Sequence, residues 1–356
     1  MAFVTCHLAN LAVGMHSVAA MDAWRAHLTA PWTRPPGLWL LAAAGAVHLA
    51  LGFYAVVARR SLALSATDVV QLALGLAIPP LLLAHVIAMA AANAVAPDFA
   101  ANYAQIQAVY WSFAPAYAFL QLFVVVAVWM HAAIGLYSWL VLKPVWRRIG
   151  GLVLPLLFAV PILALLGFAG SGQEVVERLN GDAAWRAMIL DNVGRIADVT
   201  RELADFQARA LGGYAIAVAA AFAILGARIL RHRRTPVEVA YDGGLRASGR
   251  YGLSILELSR LGDVPHAHVC SGRGRCGTCR VRVEAGADRL TPAEGLELAT
   301  LARIGAAAGE RLACQARVRG GGVAVTRLLP AFADATAAQA PQDWAPGAPA
   351  AGEPPA

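Results

Sequence analysis

His268-Val269-Cys270-Ser271-Gly272-Arg273-Gly274-Arg275-Cys276-Gly277-Thr278-Cys279-Arg280, with Leu312-Ala313-Cys314-Gln315 further on, is the text that decides the C-terminal fold. Cys270, Cys276 and Cys279 follow a C-x5-C-x2-C spacing, and Cys314 arrives 35 positions after Cys279. A [2Fe–2S] centre takes four thiolates, two on each iron. The loop carrying three of them must wrap the cluster closely, and Gly272, Gly274 and Gly277 allow that approach. Structural zinc sites usually draw their cysteines from two short-spaced pairs. A tight triplet plus one distant cysteine suits a ferredoxin loop better, with zinc and disulfides as the competing readings.

Working outward, Val237-Glu238-Val239-Ala240-Tyr241 alternates like a strand and Asp242-Gly243-Gly244 makes a turn. Leu253 to Leu261 has helical spacing, with Ser254 as its cap. Cys279 opens a second alternating run, and Gln315 to Val318 and Val323 to Leu328 supply further strands. Thr291-Pro292-Ala293-Glu294 has the form of a capping box with Pro at the first helical position. These elements suit an α+β module of the β-grasp ferredoxin type over residues 235–330, and the Ala/Pro-rich residues 331–356 read as disordered. His266 and His268 precede the loop but are not needed as ligands when four cysteines are present.

The rest of the chain is too apolar for a soluble domain. Of 356 residues 59% are hydrophobic and 14% charged, with a mean hydropathy of +0.57. Apolar stretches near 1–20, 37–58, 69–92, 117–142, 151–169 and 211–230 predict a membrane all-α six-helix bundle over residues 1–234. The first stretch is short, since its apolar face runs only from Met1 to about Gly14, so this helix is incomplete or begins upstream. Arg59-Arg60, then Lys143 with Arg147-Arg148, then Arg231-His232-Arg233-Arg234 close the second, fourth and sixth spans. By the positive-inside rule these flanks are cytoplasmic, which places the C-terminal domain in the cytoplasm and 171–209 outside as a solvated helical pair. The net charge of +7 is explained by such flanks, so no nucleic-acid partner is expected and lipid is.

Four histidines lie inside four successive spans: His7, His48, His85 and His131. Intramembrane ionisable groups are costly and mark function by default. Neutral imidazole is a good axial ligand, so two bis-histidine b haems would use all four, against packing histidines or a proton path. His48 lies 12 positions before Arg60 and His131 lies 12 before Lys143, both about 18 Å along a helix from the basic edge. His85 and His7 lean to the other face, so the expected pairs are His48 with His131 and His7 with His85. Pro79-Pro80 is expected to bend the third span. Gln71 and Gln121 would line a quinone pocket or simply bond between helices.

On His7-Leu8-Ala9-Asn10, Val47-His48, Ile78-Pro79-Pro80 through His85, Trp129-Met130-His131, Cys270 through Val283 and Arg311-Leu312-Ala313-Cys314-Gln315, the chain resembles the N-terminal, redox-regulatory part of a family of bacterial class III adenylate cyclases. The resemblance implies a dihaem cytochrome b membrane domain similar to the succinate dehydrogenase and fumarate reductase anchor, then a [2Fe–2S] domain. A cyclase catalytic domain needs well over a hundred residues, and 26 follow Pro330, so no cyclic AMP synthesis is expected from this chain alone. The expectation is a multi-pass protein of a bacterial inner membrane that passes electrons between the quinone pool, b haems and the cluster, or senses redox state. It would serve an unknown cytoplasmic redox or signalling protein. The rival expectations are the regulatory part of a split cyclase and a haem-free membrane-anchored ferredoxin.

Overall fold

In the computed structural model residues 1–95, 102–231, 235–334 and 337 are described. His232, Arg233 and Arg234 of the expected last basic flank fall outside them, as does the expected disordered tail beyond Asp334 apart from Ala337. The chain forms two compact units. The first comprises Met1–Tyr54, Gln71–Ile134 and Leu152–Ala220; the second comprises Ala55–Val70, Gly135–Gly151 and Ala221–Ala356.

Alanine- and leucine-rich text with few helix breakers builds helices throughout this part of the chain, five of them long and apolar. In chain order they are α1 (Ala2–Val13), α2 (Val18–Leu28), α3 (Gly37–Ala58), α4 (Ala66–Val95), α5 (Tyr103–Ala108), α6 (Pro115–Leu140), α7 (Trp146–Gly181), α8 (Ala183–Glu202) and α9 (Ala204–Arg231). One helical turn, Ala30–Thr33, follows α2, and a π-helical turn, Val109–Phe113, follows α5. Helices α3, α4, α6, α7 and α9 are long and apolar enough to cross a membrane, which makes five of the six expected spans. At 12 residues α1 falls short of the roughly 20 that a span needs. Pro79 and Pro80 lie inside α4, which continues as one helix through both.

Within the first unit α1 and α7 meet backbone to backbone. A Cβ on Gly14 would stand 2.6 Å from the Gly167 oxygen, and one on Gly167 would stand 2.0 Å from the Leu11 oxygen. Small residues allow such crossings, and dispersion contacts then hold them. Leu8, Leu11, Val18, Met21, Trp129, Phe168 and Ile189 fill one buried cluster around this crossing. A polar network runs beside it: Gln107 Nε2 donates to Ser171 Oγ at 2.8 Å, and Trp111 Nε1 donates to Gln107 Oε1 at 2.9 Å. The 171–209 segment is helical as read: it continues α7 to Gly181, is recapped by Asp182, and forms α8.

The second unit holds a five-stranded mixed sheet made of β1 (Pro236–Tyr241), β2 (Arg246–Arg250), β3 (Arg280–Ala285), β4 (Glu310–Leu312) and β5 (Gly322–Arg327), ordered β2-β1-β5-β3-β4. The central β1·β5 pair is parallel, with Val239 opposite Val323, and the other pairs are antiparallel. Alternation places Val237, Val239, Tyr241, Val281, Val323 and Val325 in the core. Against them pack Leu253, Ile255, Leu256 and Leu258 of helix α10 (Ile255–Leu261) and its approach. Ser254 caps α10: its hydroxyl accepts from Glu257 N, and Glu257 accepts from Ser254 N.

Two local expectations are corrected. Thr291 does not cap a helix; its hydroxyl accepts from Arg317 N and its own N–H donates to the Arg317 oxygen, so non-local pairing has claimed it. The helix, α11, spans Leu296–Arg303 and starts after Gly295 at φ +51°. Residues 315–318 make isolated bridges, Ser254 with Arg317 and Leu290 with Val318, and the edge strand is β4 instead.

The connection after α3 belongs to this unit. Ser61 Oγ donates to Glu257 Oε1 at 3.0 Å, Arg260 donates to the Ala63 oxygen at 3.3 Å, and Arg250 donates to the Arg60 oxygen.

Candidate metal centre and histidine pairs

The four cysteines are buried and all are free thiols. They come as two pairs. Cys276 Sγ donates to Cys270 Sγ at 3.1 Å, and Cys279 neighbours Cys314. The hydrogen bond from Cys276 holds the Cys270 thiol below its ordinary value, and that from Cys279 does the same for Cys314, while each donor is pushed up. Among the described residues no three His, Cys, Asp or Glu side chains converge as ligands of a single ion. Two thiol pairs suit two irons with two thiolates each.

The loop is shaped for close wrapping. Ser271, Gly272, Gly274 and Gly277 take φ of 54°, 83°, 68° and 76°. This left-handed backbone curls the loop tightly, and Arg273 N–H donates to the Cys270 carbonyl oxygen at 3.3 Å. A Cβ at Gly277 would stand 2.6 Å from Ile304 Cδ1, the movable end of that side chain, so it is the positive φ that calls for glycine there. Thr278, a residue the spacing argument passed over, lies 3.1 Å from Cys276 Sγ through its hydroxyl, which also accepts from Val269 N. Gln315 Nε2 donates to Cys314 Sγ at 3.4 Å.

Below Cys314 a buried ion pair fixes the frame. Glu297, 3% exposed, accepts from Arg311 Nε and Nη2 at 2.9 Å each and from Leu312 N at 2.9 Å. It joins α11 to β4 two residues before the ligand, and sequence spacing gave no sign of it. His266 Nδ1 lies 2.9 Å from Ser259 Oγ, and His268 Nδ1 lies 2.6 Å from the His266 oxygen.

In the first unit four histidines of the apolar helices come together as two pairs. His48 of α3 and His131 of α6 have ring centroids 6.0 Å apart at an interplanar angle of 86°. His7 of α1 and His85 of α4 have centroids 6.5 Å apart at 52°. Two metal–imidazole bonds of about 2 Å, plus about 1.1 Å from each nitrogen to its ring centre, require roughly 6.2 Å. Both pairs fit that length. His131 Nδ1 is 3.2 Å from the Gln71 carbonyl oxygen, which can only accept, so Nδ1 carries the proton and Nε2 keeps its lone pair. A Cβ on Gly75 would stand 3.1 Å from His131 Cε1, so this glycine leaves the ring its place. His85 Nδ1 lies 3.3 Å from the hydroxyl of Tyr110, in the π-helical turn. Neither Tyr110 nor the Gln71 carbonyl was legible as a partner: a backbone oxygen has no signature, and π-turns have no pattern of their own.

A three-cysteine loop joined by a fourth cysteine after β4, at one edge of a mixed sheet with a parallel central pair, suits an iron–sulfur domain. Residues 244–319 match the family described as 2Fe-2S iron-sulfur cluster binding domain. The 2Fe-2S ferredoxin-5 of Aquifex aeolicus (strain VF5) is 42% identical over 76 residues, which are 21% of this chain and 79% of the relative. Through this C-terminal domain the chain belongs to the 2Fe-2S ferredoxin family, and a [2Fe–2S] cluster is the domain's cofactor. Chlorosome protein I of Chlorobaculum tepidum is 40% identical over 72 residues, 20% of this chain and 30% of that protein. One subunit of the Na(+)-translocating NADH-quinone reductase of Methylococcus capsulatus is 33% identical over 105 residues, 30% of this chain and 25% of the relative. The chain thus spans less than a third of the length of these last two. The solved ISC-like [2Fe-2S] ferredoxin of Pseudomonas putida JCM 20004 is 26% identical, covering 28% of this chain and 94% of that one with a TM-score of 0.24.

Proposed function

We propose that the chain is a membrane-bound electron-transfer or redox-sensing protein that links two b haems to a cytoplasmic [2Fe–2S] cluster. The observation that carries the reading is the pairing of four intramembrane histidines, His48 with His131 and His7 with His85, at the separation a bis-histidine iron needs. These residues would hold the haems, whose chemistry is reversible one-electron storage. The Gln71 carbonyl would orient His131 and fix its tautomer, as outer partners of metal-bound imidazole do. Cys270 and Cys276 would hold one iron of the cluster, and Cys279 and Cys314 the other.

Residues 1–234 would then form a six-span haem bundle including the short α1, residues 235–330 the ferredoxin domain, and 331–356 a tail. The basic flanks at Arg59-Arg60 and Lys143 to Arg148 support a cytoplasmic ferredoxin domain of an inner membrane protein. A quinone as membrane-side partner is supported by the name of the Methylococcus capsulatus relative, which belongs to an NADH-quinone reductase. The cyclase resemblance supports a second output, a redox signal to a cyclase on another polypeptide.

The test is a reduced-minus-oxidised difference spectrum with haem and iron analysis of the purified protein. Two b haems per two non-haem irons is the expected result. Iron with no haem α-band would leave the rival reading, a haem-free membrane-anchored ferredoxin.

A further inference from the structure

From Val264 to Val283 the chain carries Arg273, Arg275, Arg280 and Arg282 and no Asp or Glu. Arg280 is balanced by Glu310 at 3.6 Å. Arg273 and Arg275 are different. The tightly curled backbone, in which Arg273 N–H donates to the Cys270 carbonyl oxygen at 3.3 Å, leaves both residues exposed. Between Cys270 and Cys279 they are the two exposed residues; Ser271 and Gly272 are half-buried and the rest are buried. Among the described residues no ion pair joins either guanidinium to an acidic group. Cys270 and Cys276 are meanwhile packed against Val269 and Leu142, the latter in the connection after α6. Anything that approaches the ligand loop from solvent meets two unneutralised guanidinium groups first.

We propose that the Arg273–Arg275 turn is the docking surface for a protein redox partner whose contact face is rich in Asp and Glu. Guanidinium forks bind carboxylates in bidentate geometry, and a like-signed rim steers an oppositely charged partner over several ångströms before contact. The inference deepens the electron-transfer reading and rests on it: the same turn that encloses the cluster selects by charge what exchanges an electron with it. The exchange moves one electron and no bond. The reduced protein loses one electron, the acceptor gains one, and no proton need move.

The experiment uses the full chain in phosphatidylcholine nanodiscs, reduced and then mixed with ferricyanide, an anion, or hexaamminecobalt(III), a cation. Each accepts one electron from the protein. Oxidation by ferricyanide should slow as salt is added, and oxidation by hexaamminecobalt(III) should quicken. Arg273→Glu with Arg275→Glu should reverse both trends and slow the ferricyanide reaction roughly tenfold at low ionic strength. Arg319→Glu, the same kind of charge change elsewhere on the domain, should alter neither. A glutamate-rich peptide should bind the wild type and lose roughly tenfold in affinity to the double variant. This arm also reads the turn if the electron-transfer reading fails, which would show as absent cluster absorption. Salt trends that ignore the two arginines would overturn the proposal. So would a changed reduction potential with unchanged salt trends, because the arginines would then balance the cluster's own charge. Loss of peptide binding in nanodiscs containing phosphatidylglycerol would assign the turn to lipid headgroups and overturn it as well.

Discussion

Cys276 shows how closely one side chain can be specified: its sulfur meets Cys270 Sγ at 3.1 Å and the Thr278 hydroxyl at 3.1 Å, with Gly277 beside it at φ +76°. Serine keeps the shape but supplies a hard, weakly acidic hydroxyl where iron needs a thiolate. Cys276→Ser should abolish the rhombic EPR signal of the reduced cluster while leaving any haem absorption intact; an unchanged signal would refute the ligand assignment. A second residue-scale consequence concerns acid. Arg327 bonds both carboxylate oxygens of Asp242 at 2.9 Å and holds that carboxyl down at about 2 from an ordinary 3.8. A depressed carboxyl stabilises the fold above its unfolded value and gives that contribution up as pH falls through its folded value. Hydrogen exchange of the peptides covering β1 and β5, corrected for intrinsic rates, should therefore stay level down to about pH 4 and rise as pH falls toward 2. Asp242→Asn should be less protected near neutral pH and show a weaker dependence in that window.

At the scale of elements, what could be read from sequence was what local chemistry decides. Ser254 and Glu257 form their capping box in the structure because both partners lie within one turn of α10. The same pattern at Thr291 fails because Arg317, 26 positions away, takes the threonine at both its hydroxyl and its N–H. Three-residue β4 and the RASGR text of β2 carry no apolar alternation, so neither announces itself; each exists because a neighbour supplies its ladder. The Glu297–Arg311 pair between α11 and β4 belongs to this illegible class, and it invites a direct test. Glu297→Gln leaves the Arg311 charge, whose side chain is 15% exposed, without its partner. Breaking one side of such a buried pair costs about 3–5 kcal/mol. The variant should lose its cluster absorbance at a markedly lower temperature, whereas a melting curve that coincides with wild type would mean the pair is dispensable. The change should leave haem bands alone, since Glu297 lies in the second unit.

For the whole molecule, the pairing of histidines could be anticipated from depth because a helix converts residue count into distance at 1.5 Å per step. Counting back from Arg60 and from Lys143 puts His48 and His131 level, and the structure brings their rings to 6.0 Å. Counting could not supply the partners that orient the rings, since the Gln71 oxygen and the Tyr110 hydroxyl meet their histidines only through packing of separate helices. The pairing makes a prediction that composition alone cannot. If each haem is shared by one pair, removing either member of a pair should remove the same haem. His131→Ala and His48→Ala should each lose about half the haem, and the double variant should lose no more than either single one, because the second change acts on a site already empty. His7→Ala with His131→Ala crosses the pairs and should lose nearly all of it. Pyridine haemochrome analysis of the four proteins decides the matter: additive losses in His48→Ala with His131→Ala would break the pairing, and full retention throughout would return the four histidines to ordinary helix packing and assign the haem to other ligands.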